Sequence, residues 1–283
     1  MAIEHVSDTA RWVAVYRAME SERPDALFHD PFARSLAGAK GDEIVRTLKD
    51  GRSMAWAMIV RTQVFDEIIM AEVDTDGIDL VLNLAAGLDA RPWRLELPPS
   101  LQWVDVDLPD ILRYKLETLG DAKPHCSYEA IEADLTDADV RRALFARIGA
   151  RSKRTLVVTE GLLIYLSDAD VGALASDLHA MPSFWRWVID LASPRLLKMM
   201  TKSWGAALAS GNAPFKFAPP EGTDYFRQVG WAERAYHSTM EEAERLDREM
   251  KMMWLWKFIG RFYPARMREQ FRRMSGIVVL ERI

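Results

Sequence analysis

The sequence predicts a doubly wound α/β domain with a mostly parallel sheet, and three observations carry that reading. From Asp79 onward, short apolar segments alternate with segments able to form helices: LVLNLA, LQWVDVD, YEAIEAD, TLVVTEG and FWRWVIDLA. Several of these strands are apolar without interruption, as strands covered on both faces of a parallel sheet are. Small or acidic residues stand just after each of the first four, where open α/β sheets place their ligands.

The elements follow in chain order. Ser7 or Asp8 can cap a first helix whose apolar positions Trp12, Val13, Tyr16 and Met19 recur at three- and four-residue spacing. RPDALFHDPFARSLAG is interrupted by Pro24 and Pro31 and predicts loop and short helix. A second long helix carries an apolar stripe through Val60, Val64, Phe65, Ile68 and Ile69 and stops at the Asp74–Gly77 turn. Residues 1–76 are therefore expected to form a helical cap, continuous with a domain over 77–283. Within that domain, Thr136 with Asp139 and Ser167 with Asp170 predict capping boxes. A helical insertion is expected around 195–225 and again around 239–273, the latter opened by Thr239 with Glu242. GIVVLERI closes the chain as a strand, expected at an antiparallel edge of the sheet.

Composition narrows the partners. The 283 residues carry 37 Lys and Arg against 42 Asp and Glu, a formal charge of −5, with 49% apolar and 28% charged residues, so disorder is excluded. The acid excess argues against nucleic acid, which needs a basic surface. The Arg266, Arg268, Arg272 and Arg273 cluster is taken as a solvated helix face. Cys126 is the one cysteine, which rules out an internal disulfide framework and a Cys-rich zinc site, and no metal is expected. No N-terminal signal pattern is present, and apolar runs fall short of the roughly 20 residues that span a bilayer. A cytoplasmic protein with no membrane partner is expected.

The strand ends hold the candidate site. Ala85-Ala86-Gly87-Leu88-Asp89 follows the first strand, and small residues there let backbone N–H groups approach a ligand. Asp105 and Asp107 end the second, with Asp107 twenty positions beyond Gly87, the spacing at which an acid accepts from ribose hydroxyls. Asp134-Leu135 follows the third strand and Glu160-Gly161 the fourth. Each alone is compatible with a plain turn or cap; four together indicate a nucleoside cofactor. The dinucleotide fingerprint is incomplete, since Ala85 and Ala90 stand where its first and third glycines belong. That favours a cofactor lacking a pyrophosphate, such as S-adenosyl-L-methionine.

RTQVFDEII, LNLAAGLDARPWRL, VDVDLPDIL, EADL and TEGLLIYL, in this order and spacing, resemble the leucine carboxyl methyltransferase family, whose bacterial branch includes polyketide O-methyltransferases. RPDALFHDPFARSLAG is similar to the opening of that branch. The resemblance implies a seven-stranded, Rossmann-like class I methyltransferase sheet with an antiparallel last strand and a helical N-terminal cap. It implies S-adenosyl-L-methionine as cofactor. It implies that Arg61 binds the methionine carboxylate, that Ala85 and Gly87 lie along the cofactor, and that Asp107 holds the ribose. Asp134 and Leu135 would flank the adenine, and Glu160 would stand beside the methionine amino group. The family often has Gly at the position of Ala85 and Glu at that of Asp105, which leaves open whether Asp105 shares the ribose contact.

Methyl transfer to an ionised carboxylate needs no general base, whereas an alcohol or phenol benefits from one. None of His5, His29, His125, His179 and His237 stands at a strand end, which favours a carboxyl acceptor over a hydroxyl. The acceptor is expected to be a small molecule or peptide bound against cap aromatics, with Trp12, Tyr16, Phe28, Phe32 and Tyr165 as candidates. Six of the ten tryptophans, Trp12, Trp56, Trp204, Trp231, Trp254 and Trp256, lie outside the main sheet segments and are further candidates. A nicotinamide-dependent oxidoreductase and a non-catalytic cofactor-binding homologue are the alternatives.

Overall fold

The computed structural model describes residues 8–47, 51–210, 213–250 and 252–283. Among the described residues, three α-helices precede the sheet: α1 (Asp8–Ser21), α2 (Ala33–Thr47), broken at Gly38, and α3 (Ala55–Thr75). Strands and helices then alternate: β1 (Leu80–Leu84), α4 (Arg91–Arg94), β2 (Gln102–Asp107), α5 (Pro109–Leu119), β3 (Ser127–Glu132), α6 (Ala138–Gly149), β4 (Thr155–Thr159), α7 (Asp168–His179) and β5 (Phe184–Ala192). The remainder comprises α8 (Pro194–Ser210), β6 (Trp231–Ser238), α9 (Thr239–Arg245), α10 (Met253–Gly260), α11 (Ala265–Arg272) and β7 (Ser275–Arg282).

The seven strands form one sheet in the order β3-β2-β1-β4-β5-β7-β6. The first five run parallel, and β7 pairs antiparallel with both β5 and β6. The order reverses between β1 and β4, which opens a crevice beyond their carboxyl ends. Every residue of β1 is buried, because its side chains alternate between two covered faces. Leu80, Leu82 and Leu84 pack with Leu144 and Phe145 of α6 and Val171 and Leu174 of α7. Val81 packs on the other face with Trp103 and with Val60, Val64 and Phe65 of α3. A third cluster joins α1 and α2 through Trp12, Val15, Tyr16, Leu36 and Ile44, reaching Ile59 of α3 and Trp93.

Three local expectations change. β7 is antiparallel as expected but lies inside the sheet, and β6 is the edge. Ile277–Leu280 of β7 is an uninterrupted buried run, whereas β6 interleaves Glu233, Arg234 and His237, as a half-covered edge tolerates. RPDALFHDPFARSLAG is loop and short helix as expected, its helical piece running from Ala33 to the break at Gly38, beyond which α2 resumes. Ser167 and Asp170 make the predicted capping box of α7, but α6 is capped by Asp137, which accepts from the Asp139 and Val140 N–H groups. Thr136 is held instead by Asp134. Thr239 opens α9, yet its hydroxyl meets Ser275 at 2.9 Å while Glu242 bonds His237 and Arg245. Ser7 and His5 lie outside the described residues, and so do the side chains of Trp254 and Trp256.

Candidate active site

The carboxyl ends of β1, β4 and β5 meet α1, α3 and α8 around a cavity of about 280 Å³. Its floor begins with the turn after β1. Ala85 and Gly87 both take left-handed backbone, at φ 54° and 52°. A Cβ on Gly87 would stand 3.1 Å from the Ala10 Cβ of α1, so glycine is what lets the first helix close onto the turn. The Gly87 N–H donates to Asp107 at 2.6 Å, and the Leu108 N–H donates to the other oxygen at 2.7 Å. Each Asp107 oxygen keeps a lone pair for a further donor. Burial raises the Asp107 carboxyl above the usual aspartate range, and its two backbone donors oppose that rise without cancelling it.

Asp105 does a different job. It is fully buried and accepts from Lys115 at 2.5 Å, Trp103 at 2.8 Å, Tyr128 at 2.9 Å and Asn83 at 3.0 Å. Four donors use its acceptor capacity, so Asp105 locks β2 to α5 and β3.

The polar wall is an ionic frame. Arg61 of α3 reaches Glu160 at 3.0 Å and Asp190 at 3.1 Å, and Asp190 also accepts the Gly161 N–H at 2.7 Å. Glu160 is shared with Arg91, 2.8 Å away, which in turn binds Asp66 at 2.6 Å and Asp89 at 2.7 Å. Arg94 grips Asp66 with two nitrogens, and Arg17 joins Asp30 at 2.8 Å to the Leu88 carbonyl at 2.6 Å. Burial works against ionisation of Glu160, but the Arg91 and Arg61 guanidiniums outweigh it and its pKa falls below the usual glutamate range. Burial likewise opposes the charge on Arg61, and Glu160 and Asp190 more than restore it. The frame sets four guanidiniums (Arg17, Arg61, Arg91, Arg94) against five carboxylates (Asp30, Asp66, Asp89, Glu160, Asp190). It therefore carries one net negative charge.

The rest of the lining is mostly apolar, with Trp12, Trp56, Trp204, Met58, Met200 and Phe215 among it, and Thr9, Thr62, Asn83, Thr239 and Ser275 add polar groups. Trp12 and Trp204 meet edge to face at 5.6 Å, and Tyr165 packs on Phe215 at 5.6 Å.

Of the residues singled out from sequence, Arg61, Ala85, Gly87 and Glu160 line the cavity, and Asp107 joins it through Gly87. Asp134 and Leu135 do not line it. Asp134 is exposed at the end of β3 and bonds Thr136, whose donation holds its carboxyl below the usual range, while Leu135 packs against the sheet core. Trp12 and Tyr165 face the cavity, as do Trp56 and Trp204 among the outer tryptophans. Tyr16 and Phe28 are buried between the cap helices, Phe32 packs against that cluster, and Trp231 is buried under Trp187, so none of these four lines the cavity. His29, His125, His179 and His237 are all absent from its lining. Among the described residues, no cluster of His, Cys, Asp or Glu is arranged to hold a metal ion.

Sequence reasoning missed Asp190, although the strand-end rule applied to four strands finds it at the end of the fifth. It also missed Arg91 and Arg94, which lie inside the quoted LDARPWRL block. Asp30 and Asp66 likewise lie inside the quoted RPDALFHDPFARSLAG and RTQVFDEII blocks, whereas Arg17 carried no signal, because its partners are 13 and 71 residues away.

Comparison with known proteins bears on this geometry. Residues 10–179 match the leucine carboxyl methyltransferase family. A protein of Parafrankia sp. assigned as an S-adenosyl-L-methionine-dependent methyltransferase is 38% identical over 184 residues, covering 61% of this chain and 58% of that relative. The chain thus spans less than two thirds of that relative's length. A Mycobacterium marinum protein with the same assignment is 30% identical over 279 residues, covering 86% of each chain. Among solved structures, a duf574 family protein from Streptomyces avermitilis superposes with a TM-score of 0.60 at 13% identity, over 99% of this chain and 98% of that one. An assigned methyltransferase from Thermobifida fusca gives 0.58 at 16% identity, over 100% and 96%. At such identities the two structures speak for the fold alone, and the fold they share is the class I methyltransferase fold.

Proposed function

The chain belongs to the leucine carboxyl methyltransferase family, and from that premise we propose that it is an enzyme that transfers a methyl group from S-adenosyl-L-methionine to a carboxyl or hydroxyl oxygen of a small apolar or peptide acceptor. The observation that carries the reading is the charge of the frame. S-adenosyl-L-methionine is a net cation, with a sulfonium and an ammonium against one carboxylate. A frame with one excess carboxylate suits it. A nicotinamide dinucleotide brings an anionic pyrophosphate, which the same frame repels, so the oxidoreductase alternative loses ground.

The donor set fits the cofactor moiety by moiety. Arg61 would hold the methionine carboxylate, leaving Glu160 and Asp190 to accept from its ammonium. Gly87 would lie under the cofactor, with Ala85 beside it in the same turn, and Asp107 would take the ribose hydroxyls. Asp134 and Leu135, beyond β3, would be reached by the adenine. When bound, the cofactor supplies an electrophilic methyl group on sulfur.

The chain's own residues then align the acceptor and exclude water. The tryptophans and methionines of the lining give the acceptor an apolar seat in which a thioether wall adapts to shape. Among the described residues, every carboxylate of the frame is engaged by a guanidinium and no histidine lines the cavity, so none of these groups stands ready to take the proton of an alcohol. That favours an acceptor already ionised, a carboxylate. A cytoplasmic setting suits this chemistry and a buried, unpaired Cys126. The test is release of S-adenosylhomocysteine across a panel of apolar carboxylic acids, their peptides and matched phenols. Turnover concentrated in the carboxylic acids supports the proposal, and turnover with none of the panel contradicts it.

A further inference from the structure

Residues 250–273 reverse the charge of the chain. They carry seven Lys or Arg and one acid, Glu269, in a protein whose net charge is −5. They include α10 and α11, and α11 buries none of its residues. An eight-residue helix is marginal in water without a packed face. On and beside α10, Phe258 is 54% exposed, Met252 60% and Phe262 77%, the two phenylalanines meeting edge to face at 5.7 Å. Met267 of α11 is exposed as well.

The arginines of this segment divide into two sets. Arg272 and Arg273 are neutralised by Glu241, Glu269 and Glu233. Arg261, Arg266 and Arg268 are exposed, interleave with Phe262 and Met267 along the chain, and take no ion pair among the described residues. The pattern continues onto α8, where Lys198, Met199 and Lys202 are exposed. Arg195 of α8 lies 5.0 Å over Phe271 of α11, and Phe271 stacks on Tyr263, so the two helices are neighbours. On its other face α8 supplies Met200 and Trp204 to the cavity.

Aromatic and methionine side chains flanked by unpaired cations suit the boundary between lipid headgroups and acyl chains, where apolar burial and attraction to anionic lipid add. A nucleic acid would satisfy the arginines and leave Met252, Phe258 and Phe262 in water. We propose that α10, α11 and the turn between them dock the protein peripherally on an anionic lipid surface. Phe258 and Phe262 enter the headgroup region, and Arg261, Arg266 and Arg268 pair with lipid phosphates. This replaces the expectation of no membrane partner with a surface contact; among the described residues no helix is long and apolar enough to cross a bilayer.

The test is co-sedimentation of the full chain with vesicles of phosphatidylglycerol and phosphatidylcholine in equal parts, against phosphatidylcholine alone. The expected result is binding to the anionic vesicles only, weakened by salt. Phe258→Ser with Phe262→Ser, and separately Arg261→Glu with Arg266→Glu and Arg268→Glu, should each lower binding by about tenfold or more, with thermal unfolding unchanged because these side chains are exposed. Absence of binding to anionic vesicles overturns the proposal, as does equal binding by the variants. Two control outcomes overturn it and reassign the face. Binding to duplex DNA without binding to vesicles would assign it to nucleic acid. A dimer dissolved by Phe262→Ser, with no vesicle binding, would assign it to a second copy of the chain.

Discussion

Arg61 and Glu160 lie 99 residues apart in sequence, on α3 and just beyond β4, and their side chains meet at 3.0 Å. The pair closes the polar end of the cavity, and a ligand carboxylate reaching Arg61 competes with Glu160 and Asp190 for the same guanidinium. Arg61→Ala should weaken S-adenosyl-L-methionine binding by about 1.5–3 kcal/mol, roughly tenfold to more than a hundredfold. Arg61→Lys should recover only part of it, because the ammonium lacks the planar fork. Titration calorimetry on the two variants reads the difference.

Asp105 and Asp107 are two positions apart on β2 and should respond oppositely to removal. Asp107→Ala should cost about 1.5–3 kcal/mol of cofactor affinity with a modest loss of stability. Asp105→Ala strands a buried Lys115 and should cost about 3–5 kcal/mol of folding stability. Paired denaturation and binding curves check this; equal loss of cofactor affinity in both folded variants would show that the two acids share the ligand.

The raised pKa of Asp107 fixes the sign of a pH effect. Its ionised form accepts the ribose hydroxyls, so affinity should fall as pH drops through a value above the ordinary aspartate figure of about 3.9. Asp107→Asn should remove that acid-side decline. For folding the sense is reversed: the folded state holds this proton more tightly, so the contribution is present in acid and is lost as pH rises through the folded pKa. Glu160, whose pKa is depressed, contributes above the ordinary glutamate value and loses that contribution as pH falls through its folded pKa.

Ala85 holds a left-handed conformation, at φ 54°, that costs an L-residue about 1–2 kcal/mol. Ala85→Gly should therefore stabilise the fold by roughly 0.5 kcal/mol, after the extra unfolded-state entropy of glycine is subtracted. Gly87→Ala should do the reverse, since it meets both a φ of 52° and the Ala10 Cβ. Thermal unfolding of the two variants checks the signs.

What was legible in the sequence was whatever local periodicity or a strand end encodes. The alternation after Asp79, the uninterrupted β1 and β4, and the placement of Gly87, Asp107 and Glu160 all belong to that kind. Strand order beyond β5 did not, because β6 and β7 pair across 36 or more residues of intervening turn and helix. A closer reading of Ile277–Leu280 as an interior strand, with Glu233 and Arg234 marking an edge, was available. The ionic frame was largely illegible: Asp66, Arg91 and Arg17 acquire meaning only when α1, α3 and the β1 turn are brought together. The aromatic expectation was half legible for a similar reason. Spacing showed Trp12 and Tyr16 on one helix, but which faces the cavity depends on α2 covering Tyr16.

If the crevice at β1 and β4 receives a cationic, pyrophosphate-free nucleoside, calorimetric titration of the unmodified protein should show saturable one-site binding of S-adenosyl-L-methionine and, in parallel, no heat with NADH. Saturable binding of NADH with none of S-adenosyl-L-methionine would refute that assignment.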